Sequence, residues 1–146
     1  MPINLSIESN KNDVDGSSGG AFDRQPFYSI RKRKTRLLVQ KGLEHIVLKL
    51  DDIVLFYTEN KIIYVIDRSE KKYIVDSNLM ALEDELDEMT FFRVNRQHLV
   101  NINFIKSFRA YEKVKIKIEL TIAESNHCII VSQETAPQFR KWIHEA

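Results

Sequence analysis

The chain lacks the residues and patterns that define several classes of protein. Its 146 residues include one cysteine, Cys128, which excludes an internal disulfide and a thiolate zinc cage. The longest apolar runs, residues 53–57 and 62–66, are far too short to cross a membrane, and the N-terminus has no secretory signal. These absences predict a cytoplasmic protein with no membrane partner. Because Cys128 begins the apolar run 128–131, we predict that it is a small buried hydrophobe.

Groups that could carry catalysis are also scarce. The four histidines are scattered and show no metal-ligand spacing such as His-x-x-x-His. Paired carboxylates such as Asp51 and Asp52 have no candidate base, metal set or glycine-rich loop to work with. We therefore predict that the protein is not an enzyme and that it holds no metal and no cofactor.

Residues 1–30 differ in composition from the rest of the chain. They are polar, read GSSGG at residues 16–20, and show no sustained apolar period. Such a segment cannot bury enough apolar surface to offset the loss of chain entropy, so we predict a flexible linker or tail. Residues 31–146 are then one domain, and the 43% apolar content of the chain suffices for one modest core.

The predicted domain is dominated by short strands. Two β-branched and aromatic runs, residues 53–58 and 62–67, flank Glu59-Asn60-Lys61, which is the pattern of a hairpin. Alternating runs at residues 104–110 and 114–120 predict two further strands.

Helical spacing is found only in two short segments. Leu79, Leu82 and Leu86 follow the candidate caps Ser77 and Asn78, and a second helix follows Ser132 near the C-terminus. Strands and helices do not alternate, so a parallel sheet is excluded. The sequence predicts a mainly β fold, an elongated antiparallel β domain of short strands with one or two short helices.

The net charge of +1 conceals an uneven distribution. Residues 76–88 contain six acids and no base, whereas residues 93–117 contain seven bases and one acid, Glu112. Basic charge concentrated in one segment can bind a polyanion. Lys113, Lys115 and Lys117 alternate with apolar residues, which predicts three lysines on one face of a half-buried strand. That face could equally be an ordinary solvated surface.

One segment carries a specific resemblance to a known family. Residues 91–102 read FFRVNRQHLVNI, which resembles the signature of the LytTR family of bacterial DNA-binding domains, with Arg93, Arg96 and Asn101 at signature positions. The flanking strands and the helix that precedes the signature also fit, from about Arg31 to Ile143. The resemblance implies a transcription regulator that binds double-stranded DNA sequence-specifically, through loops of a β domain that enter the major groove.

The resemblance implies three groups of DNA contacts, carried over position by position. They are Asn60 and Lys61 in the hairpin loop, the loop Asn95-Arg96-Gln97, and the turn Ser132-Gln133. The chemistry of the central loop agrees, because arginine pairs with guanine, and glutamine or asparagine with adenine. Arg96 is the best candidate for a base contact.

The remaining polar residues are assigned different roles. Lys61, Lys113 and Lys115 are candidates for phosphate contacts. Gln133 stands where the family often has an arginine, and a neutral side chain there weakens a phosphate or guanine interaction. Arg93 and Asn101 are each bracketed by apolar residues, so we expect them to support the loop through hydrogen bonds to the backbone.

Two other binding functions compete with this hypothesis. A protein-interaction module could use the same basic face to meet an acidic partner. A binder of single-stranded nucleic acid needs outward-facing aromatic residues, whereas Tyr57, Phe104 and Phe108 alternate as core residues do.

In the LytTR family the domain commonly follows a receiver domain of a two-component response regulator. Residues 1–30 cannot form a receiver, so the chain is either a free-standing regulator or the C-terminal piece of a longer one. The expected partners are double-stranded DNA, a second copy on repeated half-sites, and a receiver domain or sensor kinase system.

Overall fold

The computed structural model describes residues 34–122 and 128–146. The predicted tail over residues 1–30 therefore lies outside the described residues. Within them are two α-helices, α1 (Leu79–Glu85) and α2 (Ala136–Glu145), and two 3-10 turns, Leu50–Asp52 and Ile102–Phe104. The strands are β1 (Arg36–Lys41), β2 (Glu44–Lys49), β3 (Ile53–Glu59), β4 (Ile62–Asp67), β5 (Lys72–Val75), β6 (Phe91–Arg93), β7 (His98–Asn101), β8 (Ile105–Tyr111), β9 (Lys115–Leu120) and β10 (Ile129–Val131).

The strands form two antiparallel sheets. Seven of them follow the order β2-β1-β5-β4-β3-β7-β6, and the other three follow the order β10-β9-β8. The predicted hairpin is β3–β4, in which Glu59 pairs with Ile62 across a two-residue turn. The mainly antiparallel β fold predicted from the sequence is confirmed.

One face of the large sheet is covered by helix α1. Asn78 caps this helix by accepting a hydrogen bond of 2.8 Å from the backbone N–H of Ala81. Leu79 and Leu82 are buried against sheet residues such as Phe56, whereas the acids Glu83, Asp84 and Glu85 are exposed, as the helical period predicts.

The other face of the large sheet packs against the small sheet and helix α2. Phe139 of α2 is fully buried and makes an edge-to-face contact with Phe108 of β8, at 5.1 Å between ring centroids. The Trp142 indole N–H donates to the carbonyl of Glu88 at 3.0 Å, which ties α2 to the loop before β6. This second core lies under β6 and β7, which carry signature residues, and under β10, which precedes Ser132.

Two predictions made from the sequence are wrong. Cys128 is exposed, and β10 begins at Ile129. Since Ile129 and Val131 face the core, the two-residue period of a strand places Cys128 and Ile130 on the opposite side.

The second error concerns the lysine face. Lys113 is not on a strand, because residues 112–114 form the β8–β9 turn, in which Glu112 has φ 44° and Lys113 has φ 70°. Val114 is 49% exposed, so the alternation with the core begins only at Lys115. Two of the three lysines, Lys115 and Lys117, share a strand face.

No helix within the described residues is long and apolar enough to cross a membrane. The same residues contain no group of three or more His, Cys, Asp or Glu side chains that could hold a metal ion.

Candidate nucleic-acid interface

The loop between β6 and β7, residues 94–97, is fixed to the fold at both ends. Val94 is completely buried, and its N–H donates to the carbonyl of His98 at 3.1 Å. The Asn95 side-chain amide donates to the carbonyl of Ile130 in β10 at 2.7 Å. The same side chain accepts from the backbone N–H of Gln97, also at 2.7 Å. The Asn95 side chain is therefore engaged inside the protein, on both its donor and its acceptor side.

Arg93 holds the same loop from the side of β6. Its guanidinium donates to the carbonyl of Arg96 at 3.0 Å and lies 3.5 Å from a carboxylate oxygen of Glu83 on α1. Arg93 therefore links the backbone of the loop at Arg96 to helix α1. The sequence does not indicate that Glu83 pairs with Arg93, since the helical period shows only that Glu83 is on the surface.

The two remaining side chains of the loop point to solvent. Arg96 and Gln97 are both exposed. The Arg96 guanidinium makes no hydrogen bond or ion pair with any other residue in the described part of the chain. A fixed backbone that presents an arginine and a glutamine with free hydrogen-bonding groups can recognise purine edges.

The turn that follows β10 lies beside this loop. An open groove of about 880 Å³ separates them, with Arg96 and Gln97 on one side and Ser132, Thr135 and Gln138 on the other. The Ser132 hydroxyl donates to the Thr135 hydroxyl at 2.9 Å, and the Ser132 carbonyl accepts the N–H groups of Thr135 and Ala136 at the start of α2. Gln133 is the next residue and is exposed.

The β3–β4 turn is close to the same loop. The backbone N–H of Thr58, two residues before Asn60, donates to the carbonyl of Gln97 at 3.0 Å. Asn60 and Lys61 are exposed and have φ values of 54° and 67°, the left-handed conformation of a tight hairpin turn. The structure therefore brings the three groups of residues predicted from the resemblance to one end of the domain.

Asn101, which we expected to support the loop together with Arg93, makes no hydrogen bond with it and lies elsewhere. It is fully buried, donates to the carbonyl of Ile53 at 2.8 Å and accepts from the N–H of Asn103 at 2.9 Å. It therefore stabilises the start of β3 and the turn after β7, at the end of β7 opposite to residues 94–97.

The predicted phosphate-binding lysines lie on the β8–β9 hairpin. Lys113 is exposed at its tip, whereas the Lys115 ammonium is 3.2 Å from a carboxylate oxygen of Glu112. Lys115 therefore has an internal partner that competes with any phosphate.

These features define a class of protein: a β domain that presents exposed polar loops from a fixed framework, as DNA-binding domains do. The chain belongs to the LytTR family, since the model of the LytTr DNA-binding domain matches residues 44–144. The resemblance drawn from residues 91–102 is confirmed. The protein therefore carries a DNA-binding domain of a family of transcription regulators, and this family is not a catalytic one.

A solved structure has the same fold. It is the LytTr DNA-binding domain of a protein described as a methyl-accepting/DNA response regulator from Bacillus cereus. The two chains are 22% identical, with a TM-score of 0.68, and the similarity covers 75% of this chain and 97% of the other. No curated protein matches the sequence.

Proposed function

We propose that this domain binds double-stranded DNA sequence-specifically and regulates transcription, with the loop of residues 94–97 presenting Arg96 and Gln97 to the major groove. The observation that carries the proposal is the fixed backbone of this loop, from which Arg96 and Gln97 extend without internal partners. A loop that is already ordered loses little conformational entropy when it binds, so more of the contact energy appears as affinity.

Within the loop the residues have separate functions. Arg96 forms paired hydrogen bonds to a guanine, and Gln97 does the same for an adenine. Asn95 was a third candidate for a base contact, but its side chain is occupied by Ile130 and by the N–H of Gln97. We therefore assign Asn95 to the support of the loop, together with Arg93.

The two neighbouring turns extend the contact surface. Lys61 lies in the β3–β4 turn and can meet a phosphate, with Asn60 beside it. Ser132 lies across the groove from Arg96, and Gln133 is the exposed residue next to it. Both can supply hydrogen bonds to bases or phosphates. These contacts orient the domain on the duplex, so that Arg96 and Gln97 meet base edges.

We also propose that the domain is the output domain of a two-component response regulator. The similar domain from Bacillus cereus comes from a protein described as a response regulator, which supports this assignment. A receiver domain or a sensor kinase system is then a functional partner, and a second copy binds a repeated half-site. We assign the domain no catalytic activity.

A selection of binding sites from random duplexes tests the proposal. The full chain is expected to enrich one sequence pattern. Arg36→Ala serves as a control that removes a positive charge away from the loop, because Arg36 is exposed on β1, at the far side of the large sheet from β6. The control should enrich the same pattern as the wild type. If the wild type enriches no pattern yet binds acidic proteins in a salt-dependent manner, the domain is a protein-interaction module instead.

A further inference from the structure

The outer face of the small sheet brings together two cations of the basic segment 93–117. In β8 and β9, Arg109 is the register partner of Lys117. Both side chains point away from the core, because their neighbours Phe108 and Ile118 pack into it. Two cations thus lie directly opposite each other on the surface of an antiparallel pair, an arrangement that costs stability.

Two other cations of this hairpin have an acidic partner, whereas this pair has none in the described part of the chain. Lys115 lies 3.2 Å from Glu112, and Lys106 lies 3.9 Å from Glu119. Within residues 34–122 and 128–146, neither Arg109 nor Lys117 has a carboxylate within 4.0 Å, and the Lys117 ammonium lies 5.9 Å from the centroid of the Tyr111 ring. No acid in the described part of the chain therefore forms an ion pair with either side chain.

A pair of like charges does not by itself define a binding site, since Arg36 and Lys49 also face each other on β1 and β2. The position of Arg109 and Lys117 distinguishes them. Lys117 is the register partner of Ile130 in β10, and the carbonyl of Ile130 accepts the hydrogen bond from Asn95. The row Arg109–Lys117–Ile130 therefore ends at residues 94–97.

The spacing of this row suits a duplex. Adjacent strands are about 4.8 Å apart, so Arg109 is about 10 Å from β10 along the row, with the loop beyond it. The major groove is about 12 Å wide. The separation of Arg109 from the edge strand that adjoins the loop is therefore comparable to the width of the groove.

We infer that Arg109 and Lys117 bind the phosphate backbone next to the groove that residues 94–97 enter, as a contact surface that is independent of sequence. This inference rests on the proposed function and extends it to a face of the small sheet. The anion that relieves the repulsion between Arg109 and Lys117 is the DNA itself, so the pair costs stability in the free protein and favours the complex.

The test compares two double variants of the full chain with equal changes in charge. Arg109→Gln with Lys117→Gln removes the proposed contact, and Arg36→Gln with Lys49→Gln removes a like-charged pair about 24 Å from β6, a distance of five strands. Affinities for the selected operator and for a random duplex of equal length are measured as a function of salt. Circular dichroism confirms that each variant is folded.

The first double variant is expected to lower the slope of log affinity against log salt by about 1.8, which is two contacts at about 0.9 each. Between about 50 and 200 mM salt, the factor by which its affinity falls should therefore be about twelve times smaller than the factor for the wild type. The change should be the same on both duplexes, and the preference for the operator should persist. The control should keep the slope of the wild type.

The possible results separate the inference from the proposed function. A wild-type slope in the first double variant would overturn the inference while leaving sequence-specific binding intact. An equal loss of slope in the control would also overturn it, because net charge alone would then explain the effect. If the wild type prefers no sequence at all, the proposed function itself is wrong. Two single variants, Arg109→Gln and Lys117→Gln, should each lower the slope by about 0.9 and serve if the double variant does not fold.

Discussion

Replacement of Asn95 by alanine separates a supporting residue from one that contacts DNA. The side-chain oxygen lies 3.1 Å from Nδ1 of His98, and the side chain makes two hydrogen bonds of 2.7 Å, one to the carbonyl of Ile130 and one from the N–H of Gln97. Each such bond contributes about 0.5–1.5 kcal/mol net. The free energy of unfolding of Asn95→Ala should therefore be lower by about 1–3 kcal/mol, measured by urea denaturation with an unchanged m value.

The same variant should bind DNA less tightly for an indirect reason. Without the link to Ile130, residues 94–97 are less restrained and lose more conformational entropy on binding, so affinity for the operator falls. The slope against salt should stay the same, because no phosphate contact is lost. Asn95→Asp keeps the acceptor for the N–H of Gln97 but places a carboxylate against the carbonyl of Ile130. It should be at least as unstable as Asn95→Ala.

Gln97→Ala is the matched control for Asn95→Ala, because the Gln97 side chain is exposed. It should change stability by less than about 0.5 kcal/mol while it weakens binding to the operator. The reasoning about Asn95 would be refuted if Asn95→Ala kept the stability of the wild type and lost preference at one base position. Asn95 would then be a base reader.

Two further predictions concern a turn and a buried hydroxyl. Lys61 has φ 67°, a left-handed conformation that costs a non-glycine residue about 1–2 kcal/mol, whereas glycine adopts it freely but loses about 0.5–1 kcal/mol more backbone entropy on folding. Lys61→Gly should therefore raise stability by about 0.5–1 kcal/mol, and it should lower the salt slope of DNA binding by about 0.9 if Lys61 meets a phosphate. The Tyr73 hydroxyl donates to Asp67 at 2.8 Å. Burial of the hydroxyl is the larger cause, and the Asp67 carboxylate the smaller one, of a rise in the pKa of Tyr73 from 10.0 to about 12. The neutral Tyr73 hydroxyl contributes to the free energy of unfolding, and this contribution is fully present below pH 10 and is lost as the pH rises to about 12, an effect on the order of 2–3 kcal/mol. Denaturation at pH 9 to 12 should show this loss in the wild type and not in Tyr73→Phe; equal pH profiles would contradict the assignment.

The sequence predicts the class of fold because local patterns determine it here. The spacing of Leu79 and Leu82 and the cap at Asn78 are local signals, and the observed helix follows them. Cys128 shows where such reasoning fails. An apolar run of four residues does not reveal which residues face the core, and the pairing of Ile129 with Ile118 in β9 decides it.

At the candidate site, too, residues near one another in the sequence could be predicted, whereas contacts between distant residues could not. The resemblance identifies Arg96 and Gln97 by position, and both are exposed. The partner of Asn95 is 35 residues away, so no local pattern distinguishes Asn95 from its neighbours. The pairing of Arg109 with Lys117 depends in the same way on the register of β8 and β9, which the sequence does not display.

Comparison of the sequences selected by wild type and by Arg96→Ala tests the central claim most directly. Both proteins are incubated with random duplexes at the same salt concentration, and the bound sequences are compared position by position. Arg96→Ala should lose about 1–3 kcal/mol of affinity for the wild-type operator and lose its preference at one base position, with the other positions retained. If the variant folds normally and selects the same sequence with the same affinity, Arg96 does not contact a base, and recognition by residues 94–97 is contradicted.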